Sequence, residues 1–239
     1  LFPVGEVNGS HGVYRPGGSA LNSGQVAGFR AAEYIANRYQ NWDLDKKAVG
    51  NSISTAAADL WVWMDKCIDA KTSWRAEREE IQERMSRYGA HIRSLDELKN
   101  AVPAAWKQWH RISRAGCSYR NAKDLAEALR NRPLCLAQAI YLEAIRFALE
   151  SGVGSRGSAI ALDKNGSKVH DQLGDEWRIT AENASYKEKV QETLATPGGK
   201  VDNRWVPRRP LPECDAWFET GWASFRNGEI YASAGRGAG

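Results

Sequence analysis

The residue types most suited to chemistry gather near the start of the chain, from Gly5-Glu6 through His11-Gly12, Arg15 and Gly17-Gly18 to Ser19-Ala20-Leu21. Their order describes a short strand ending in a carboxylate, then a glycine-rich crossing into a helix. A carboxylate at a strand end accepts hydrogen bonds from sugar or ribityl hydroxyls. Glycines let a flat ligand approach the backbone, and the first helix amides, at Ser19, Ala20 and Leu21, suit an electron-rich carbonyl or an anion. His11 brings a titratable ring. Arg15 brings a planar fork of donors that binds both oxygens of a carboxylate at once. A surface loop between strand and helix, with an ordinary exposed arginine, accounts for the same residues equally well.

Other motifs carry less. Gly152-Val-Gly-Ser-Arg-Gly157 spells the dinucleotide fingerprint. That fingerprint requires a strand before it, whereas a 17-residue helical pattern precedes this one, so it reads as a helix cap and loop. His91 and His110 read as helix-surface residues and His170 as part of a polar loop. No Gly-x-Ser-x-Gly elbow occurs. Cys67, Cys117, Cys135 and Cys214 have neither metal-clip nor dense-disulfide spacing, so free structural thiols in a reducing setting are expected and no metal ligand set is assigned.

The elements around these residues are mostly helical. Residues 1–7 read as a buried strand, and a helix then runs from about Leu21 to Arg38 with Leu21, Val26, Phe29, Ala32 and Ile35 inward. Ala56–Ala70 and Trp74–Tyr88 form helices, the second closed by Gly89. Ser94-Leu-Asp-Glu97 is a capping-box pattern opening a helix toward Gly116, with Pro103 expected to bend it or delay its start. Asn121 and Pro133 each open a further helix, the second running Leu134–Glu150. Beyond Gly157 helical periodicity fades. Pro197-Gly198-Gly199 connects a hairpin of Lys189–Ala195 and Lys200–Arg208. Pro207, Pro210 and Pro212 prevent regular structure just beyond the hairpin, and the tail from Ser233 is flexible.

With 239 residues, 42% hydrophobic, and a net charge of +4, the chain is long and apolar enough for a core. No run of about 18 apolar residues occurs, so no membrane insertion is expected. Eleven of the 33 Lys+Arg fall in residues 71–120, against six Asp+Glu. Acids cluster early in each helix there and bases late, and Glu79, Glu80 and Glu83 lie within reach of Arg84 and Arg87. Helix dipoles and i,i+4 pairing explain that pattern as a solvated face, and nucleic acid is not expected as a partner.

At Gly5-Glu6, His11-Gly12, Arg15, Gly17 and Leu21 the sequence resembles the flavoprotein subunit family of succinate dehydrogenase and fumarate reductase. Gly28-Phe-Arg-Ala-Ala32 resembles the next helix of that family. Trp74–Gly89 with Ser94–Trp109 resembles the first helices of its C-terminal bundle, Glu150–Gly157 its Glu-Ser-Arg-Gly-Ala-His segment, and Lys200–Pro212 its closing strand. Tyr14, Pro16, Ala20 and Ala159 stand where the family usually has Asn, Leu, Ser and His, which leaves open other unsaturated acids or adenylylsulfate as substrate.

The resemblance implies an FAD-dependent oxidoreductase that moves a hydride between flavin and a small carboxylate substrate. Gly5 and Glu6 would meet the ribityl chain, and Ser19, Ala20 and Leu21 the isoalloxazine. Arg15 would clamp the substrate, with His11 beside it or simply structuring the turn. Counterparts of the family's pyrophosphate-binding unit and capping domain are missing. The expectation is therefore the C-terminal portion only, inactive alone and holding FAD weakly or not at all.

The resulting fold class is mainly α. A strand–loop–helix remnant of an FAD-binding α/β domain spans 1–45, a helical bundle 46–160, and an irregular extension with a hairpin and tail 161–239. Expected partners are the N-terminal FAD-binding portion of the same protein and an iron–sulfur or other electron-transfer subunit. The expected location is cytoplasmic, peripheral to a membrane through that partner. The alternative is a non-catalytic helical module that docks a partner redox subunit.

Overall fold

The computed structural model describes residues 1–8, 19–40, 43–196 and 199–208, together with 221, 223–224 and 226–229. The glycine-rich crossing at 9–18, the hairpin tip at 197–198, Pro210, Pro212 and the tail from Ser233 lie outside the described residues. Among the described residues the fold is mainly α, 61% helix, with short strands in two small sheets. The chain divides into two compact units, one made of the described parts of Leu1–Val49 and Arg209–Gly239, the other of Gly50–Arg208.

In the first unit, residues 1–7 do not form the expected strand. Leu1–Val4 are irregular and exposed, and Gly5–Asn8 tighten into a 3₁₀ turn. A strand needs a partner edge for its N–H and C=O groups, and none of the described residues pairs with this segment. Side chains dock it instead on α1 (Ser19–Arg38): the Phe2 ring lies 5.8 Å from Tyr34 and 6.4 Å from Tyr39. The face of α1 expected to be inward is exposed, Leu21 at 76% and Phe29 at 56%. The half-buried side is the stripe of small residues Ala20, Ser23, Gly24, Ala27, Gly28 and Ala31. Such a stripe admits another backbone closely, and a Cβ added at Gly5 would stand 3.5 Å from the Gly24 Cα.

The helix α2 (Lys46–Ile68) begins ten residues earlier than its apolar stripe predicts, because Asp45 Oδ1 accepts the N–H of Ala48 at 2.9 Å. Its buried residues are Trp63 and Cys67. The next helix, α3 (Trp74–Arg84), is capped by Ser73, whose hydroxyl accepts from Ala76 N, and runs into a π turn over Met85–Gly89. Strand β1 (Ile92–Ser94) leads into α4 (Leu95–Ala115). Ser94 is its N-cap residue, but its side chain makes no capping bond. Pro103 sits inside α4 without delaying its start.

The largest departure is α5, one helix over Ala122–Glu150 where two were expected; Asn121 caps it and Pro133 lies within it. An internal proline costs about 3 kcal/mol through a lost hydrogen bond and a steric clash. Buried residues on both sides of it, Ala128 and Asn131 before, Cys135, Gln138, Ala139 and Leu142 after, hold the helix continuous against its neighbours.

The bundle is built on α4 against α5, with α3 lying on both. Its core falls into two apolar clusters. One joins Trp63, Cys67, Ile81, Ile112, Cys117, Ala128 and Cys135; the other joins Leu98, Ala101, Val102, Ala105, Ala139 and Leu142.

Strand β2 (Ile160–Lys168) pairs in parallel with β1 (Ile92↔Ile160) and antiparallel with β3 (Arg178–Ile179). The expected hairpin is present as β4 (Lys189–Ala195) and β5 (Val201–Pro207), in register from Lys189↔Pro207 to Ala195↔Val201. Trp205 pins it to the bundle, stacking on Phe147 at 5.8 Å and donating to Ser151 Oγ at 3.0 Å.

Candidate functional site

Two of the expected site residues, His11 and Arg15, lie outside the described residues. The others share the first unit. Gly5 is buried and opens the 3₁₀ turn; Glu6 comes next and is exposed. Ser19, Ala20 and Leu21 make the first turn of α1, with Ala20 half-buried and Leu21 turned to solvent. With Phe2 against Tyr34 and Gly5 against Gly24, the N-terminal segment runs back along α1 toward the start of that helix. The structure thus brings Gly5 and Glu6 to the half of α1 that begins at Ser19.

The first turn of α1 contains no acidic residue, so its amides face no neighbouring carboxylate within that turn. The small-residue stripe keeps side-chain bulk away from the approaching backbone. Among the described residues no group of three or more His, Cys, Asp or Glu is placed to hold a metal ion.

The second unit contains a polar constellation that the sequence did not reveal. Glu77 of α3 is fully buried and takes a two-pronged bond from Arg111 of α4, Nε to Oε1 at 2.9 Å and Nη2 to Oε2 at 2.8 Å. Gln108 Nε2 donates to the same carboxylate at 2.9 Å and to the Glu77 carbonyl at 3.0 Å. Arg111 also meets Glu80, which pairs with Arg84 at 2.5 Å, and Arg84 Nη1 donates to Gln108 Oε1 at 2.6 Å. Gln138 of α5 closes the set, donating to Gln108 Oε1 at 2.6 Å. The adjacent carboxylates, Glu77 foremost, hold the Arg111 guanidinium above its ordinary pKa.

This layer corrects the solvated-face reading of 71–120 at Glu77, which lies with Gln108 and Gln138 inside the bundle between its two apolar clusters, while Glu79, Glu83 and Arg87 are exposed. The signal was present in the spacing. Gln108 falls on the Leu98–Ala101–Val102–Ala105–Ile112 stripe of α4, and Glu77 lies between Trp74 and Ile81 on α3. A polar residue on an apolar stripe marks a buried partner, and sequence alone does not name that partner. With its groups saturated by one another, the layer aligns three helices and offers no free acid or base.

Other polar residues resolve into structural roles. The Gly152–Gly157 segment is a loop after α5. Arg156 in it donates to the Tyr186 carbonyl at 2.7 Å and faces Glu182 at 3.7 Å, as an ion-pair residue rather than a catalytic one. His110 is exposed on α4, whereas His91 lies between the π turn and β1 rather than on a helix, its Nδ1 3.0 Å from the Ser158 carbonyl. A cleft of about 510 Å³ opens between the start of α4, the end of α5 and β2–β3. Two of its carboxylates are engaged: Asp163 accepts from Thr180 Oγ1 at 2.9 Å and Asp175 from Arg178 Nε at 3.0 Å. The bond from Arg178, reinforced by Lys168, holds Asp175 below the usual carboxylate range.

No family model matches the sequence, and no curated protein matches it. Among solved structures, a mutant form of FrdA of E. coli quinol fumarate reductase is similar to this chain, with a TM-score of 0.56 and 15% sequence identity. The likeness covers 83% of this chain and 32% of that one, so this chain spans about a third of its length. At that identity the likeness is one of fold.

Proposed function

We propose that the chain is the C-terminal portion of an FAD-dependent oxidoreductase acting on a small carboxylate substrate. The observation that supports this best is a coincidence of two independent signals. The fold is like that of a fumarate reductase chain over 83% of the residues, and the Gly5-Glu6…His11-Gly12…Arg15…Leu21 spacing resembles the flavin-facing segment of the same family. Neither signal alone reaches the reaction.

On this reading Gly5 and Glu6 bind the ribityl chain through backbone and carboxylate, and the amides of Ser19, Ala20 and Leu21 face the ring. The flavin supplies the two-electron chemistry when bound. The protein's part is orientation and charge. Arg15 grips a substrate carboxylate through two parallel N–H donors and stabilises charge that grows as the adjacent carbon reacts. His11 orients that carboxylate from the same crossing. The pyrophosphate-binding portion comes from the rest of the same protein, and an electron-transfer subunit completes the complex.

The test is Arg15→Ala in the full-length protein. Turnover falls at least about a hundredfold while flavin content stays normal, because one charge-stabilising donor is lost and the fold is untouched. Unchanged turnover with normal flavin removes Arg15 from the mechanism.

A further inference from the structure

Cys67 lies in the last turn of α2 and Cys117 comes just after α4, 50 residues later, and both are fully buried in one apolar cluster. The backbones at these places are close. A Cβ built on Gly116, the residue before Cys117, would lie 2.5 Å from Cys67 Sγ and 3.0 Å from the Cys67 Cα. The Cα of Cys117 is about 3.8 Å from that of Gly116, so the two cysteine Cα atoms lie within about 8 Å, a bound that contains the separation a disulfide spans. Both thiols lie in the same apolar cluster, where the Cys117 thiol donates to the Ala128 carbonyl at 3.8 Å.

We propose that Cys67 and Cys117 are a site of reversible oxidation, closing to a disulfide by exchange with a small disulfide such as oxidised glutathione. The Cys67 thiolate attacks the glutathione disulfide and releases one glutathione thiolate. The Cys117 thiol, giving its proton to water, then attacks Cys67 sulfur and releases the second glutathione. Two protein thiols are oxidised and one glutathione disulfide is reduced. The order is set by the two environments. The neighbouring Cys117 holds the Cys67 thiol below its ordinary range, whereas Cys117, pushed up by Cys67 and by burial, has its thiol proton on the Ala128 carbonyl at 3.8 Å. Cys135 stays reduced: burial raises it to about 11, and its sulfur accepts Gln138 Nε2 at 3.4 Å inside α5.

Access comes through α2. Trp63 and Cys67 are its buried residues, and Trp63 Nε1 donates to the Ile112 carbonyl at 2.8 Å. Lifting the last turns of α2 therefore exposes Cys67 while the α4–α5 core stays intact, a local opening rather than unfolding. The closed disulfide ties the end of α2 to the α4–α5 turn. This site is independent of the flavin reading.

The test uses the full chain carrying Cys214→Ser, equilibrated in oxidised glutathione, then acid-quenched, alkylated and mapped by mass spectrometry. Two hydrogens are lost, the Cys67 and Cys117 peptides are joined, and Cys135 alone is alkylated. Adding Cys117→Ser traps glutathione on Cys67, while Cys67→Ser leaves Cys117 unreacted over the same time. Trp63→Phe, which keeps the bulk but loses the bond to Ile112, closes about fivefold faster. Three alkylated thiols after equilibration, a link through Cys135, or equal trapping in the two serine variants overturns the proposal. An unchanged rate in Trp63→Phe overturns the opening route through α2.

Discussion

Removing either partner of the Glu77–Arg111 pair has an unequal cost, and the inequality stems from burial. The Glu77 side chain is 0% exposed and that of Arg111 37% exposed. Breaking a buried pair by deleting one partner costs about 3–5 kcal/mol, because the survivor is left charged and dry. Arg111→Met strands a carboxylate that water cannot reach, with Gln108 as its remaining side-chain donor, so its loss sits near the upper end, about 5 kcal/mol. Glu77→Gln strands a guanidinium that is one-third hydrated and still meets Glu80. Its loss sits at or below the lower end, about 2–3 kcal/mol. The pairing of Glu77→Leu with Arg111→Met leaves no orphaned charge and recovers most of the difference, as apolar replacements of buried ion pairs do. Urea unfolding at pH 7, monitored by helical circular dichroism and tryptophan fluorescence, measures all four proteins. If Glu77→Gln is as damaging as Arg111→Met, or if the double variant is no more stable than Arg111→Met alone, burial is not what sets the energetics of this layer.

Two further substitutions separate backbone conformation from packing. Gly116→Ala meets a positive φ of 71° and the Cys67 backbone at 3.0 Å, whereas Gly152→Ala meets φ 75° with open space around it. Gly152→Ala should cost about 1–2 kcal/mol from φ alone and Gly116→Ala at least about 3, measured by the same urea titration; equal losses would refute the close contact. Pro133→Ala should raise stability by about 1–3 kcal/mol, since the exposed side chain packs little and the new N–H completes the α5 ladder. A loss of thermal stability on that change would mean that the proline shapes α5 rather than burdening it.

The local features with strong covalent or capping causes were legible in the sequence. Asn121 as a helix start, Gly116 as a helix end, the hairpin of Lys189–Ala195 with its glycine turn and the loop identity of Gly152–Gly157 all depend on near neighbours. The mainly α class was legible from periodicity for the same reason. The candidate site was legible only as a set of residue types, since the roles proposed for His11 and Arg15 run through a ligand and the spacing names no ligand by itself.

What tertiary structure decided were matters of partnership. Residues 1–7 have the composition of a strand, but a strand exists only where another edge pairs with it, and here α1 takes the segment by its side chains. Leu21 and Phe29 carry helical periodicity, yet the small-residue stripe is the packed side, because close backbone approach outweighed bulk. Pro133 forecast a break, and burial on both sides of it kept α5 whole. Glu77, Gln108 and Gln138 look from the sequence like polar residues bound for water. Only the packing of α3, α4 and α5 shows that their solvent is one another, since hydrogen bonds across 30 or more residues depend on distances that no local pattern encodes.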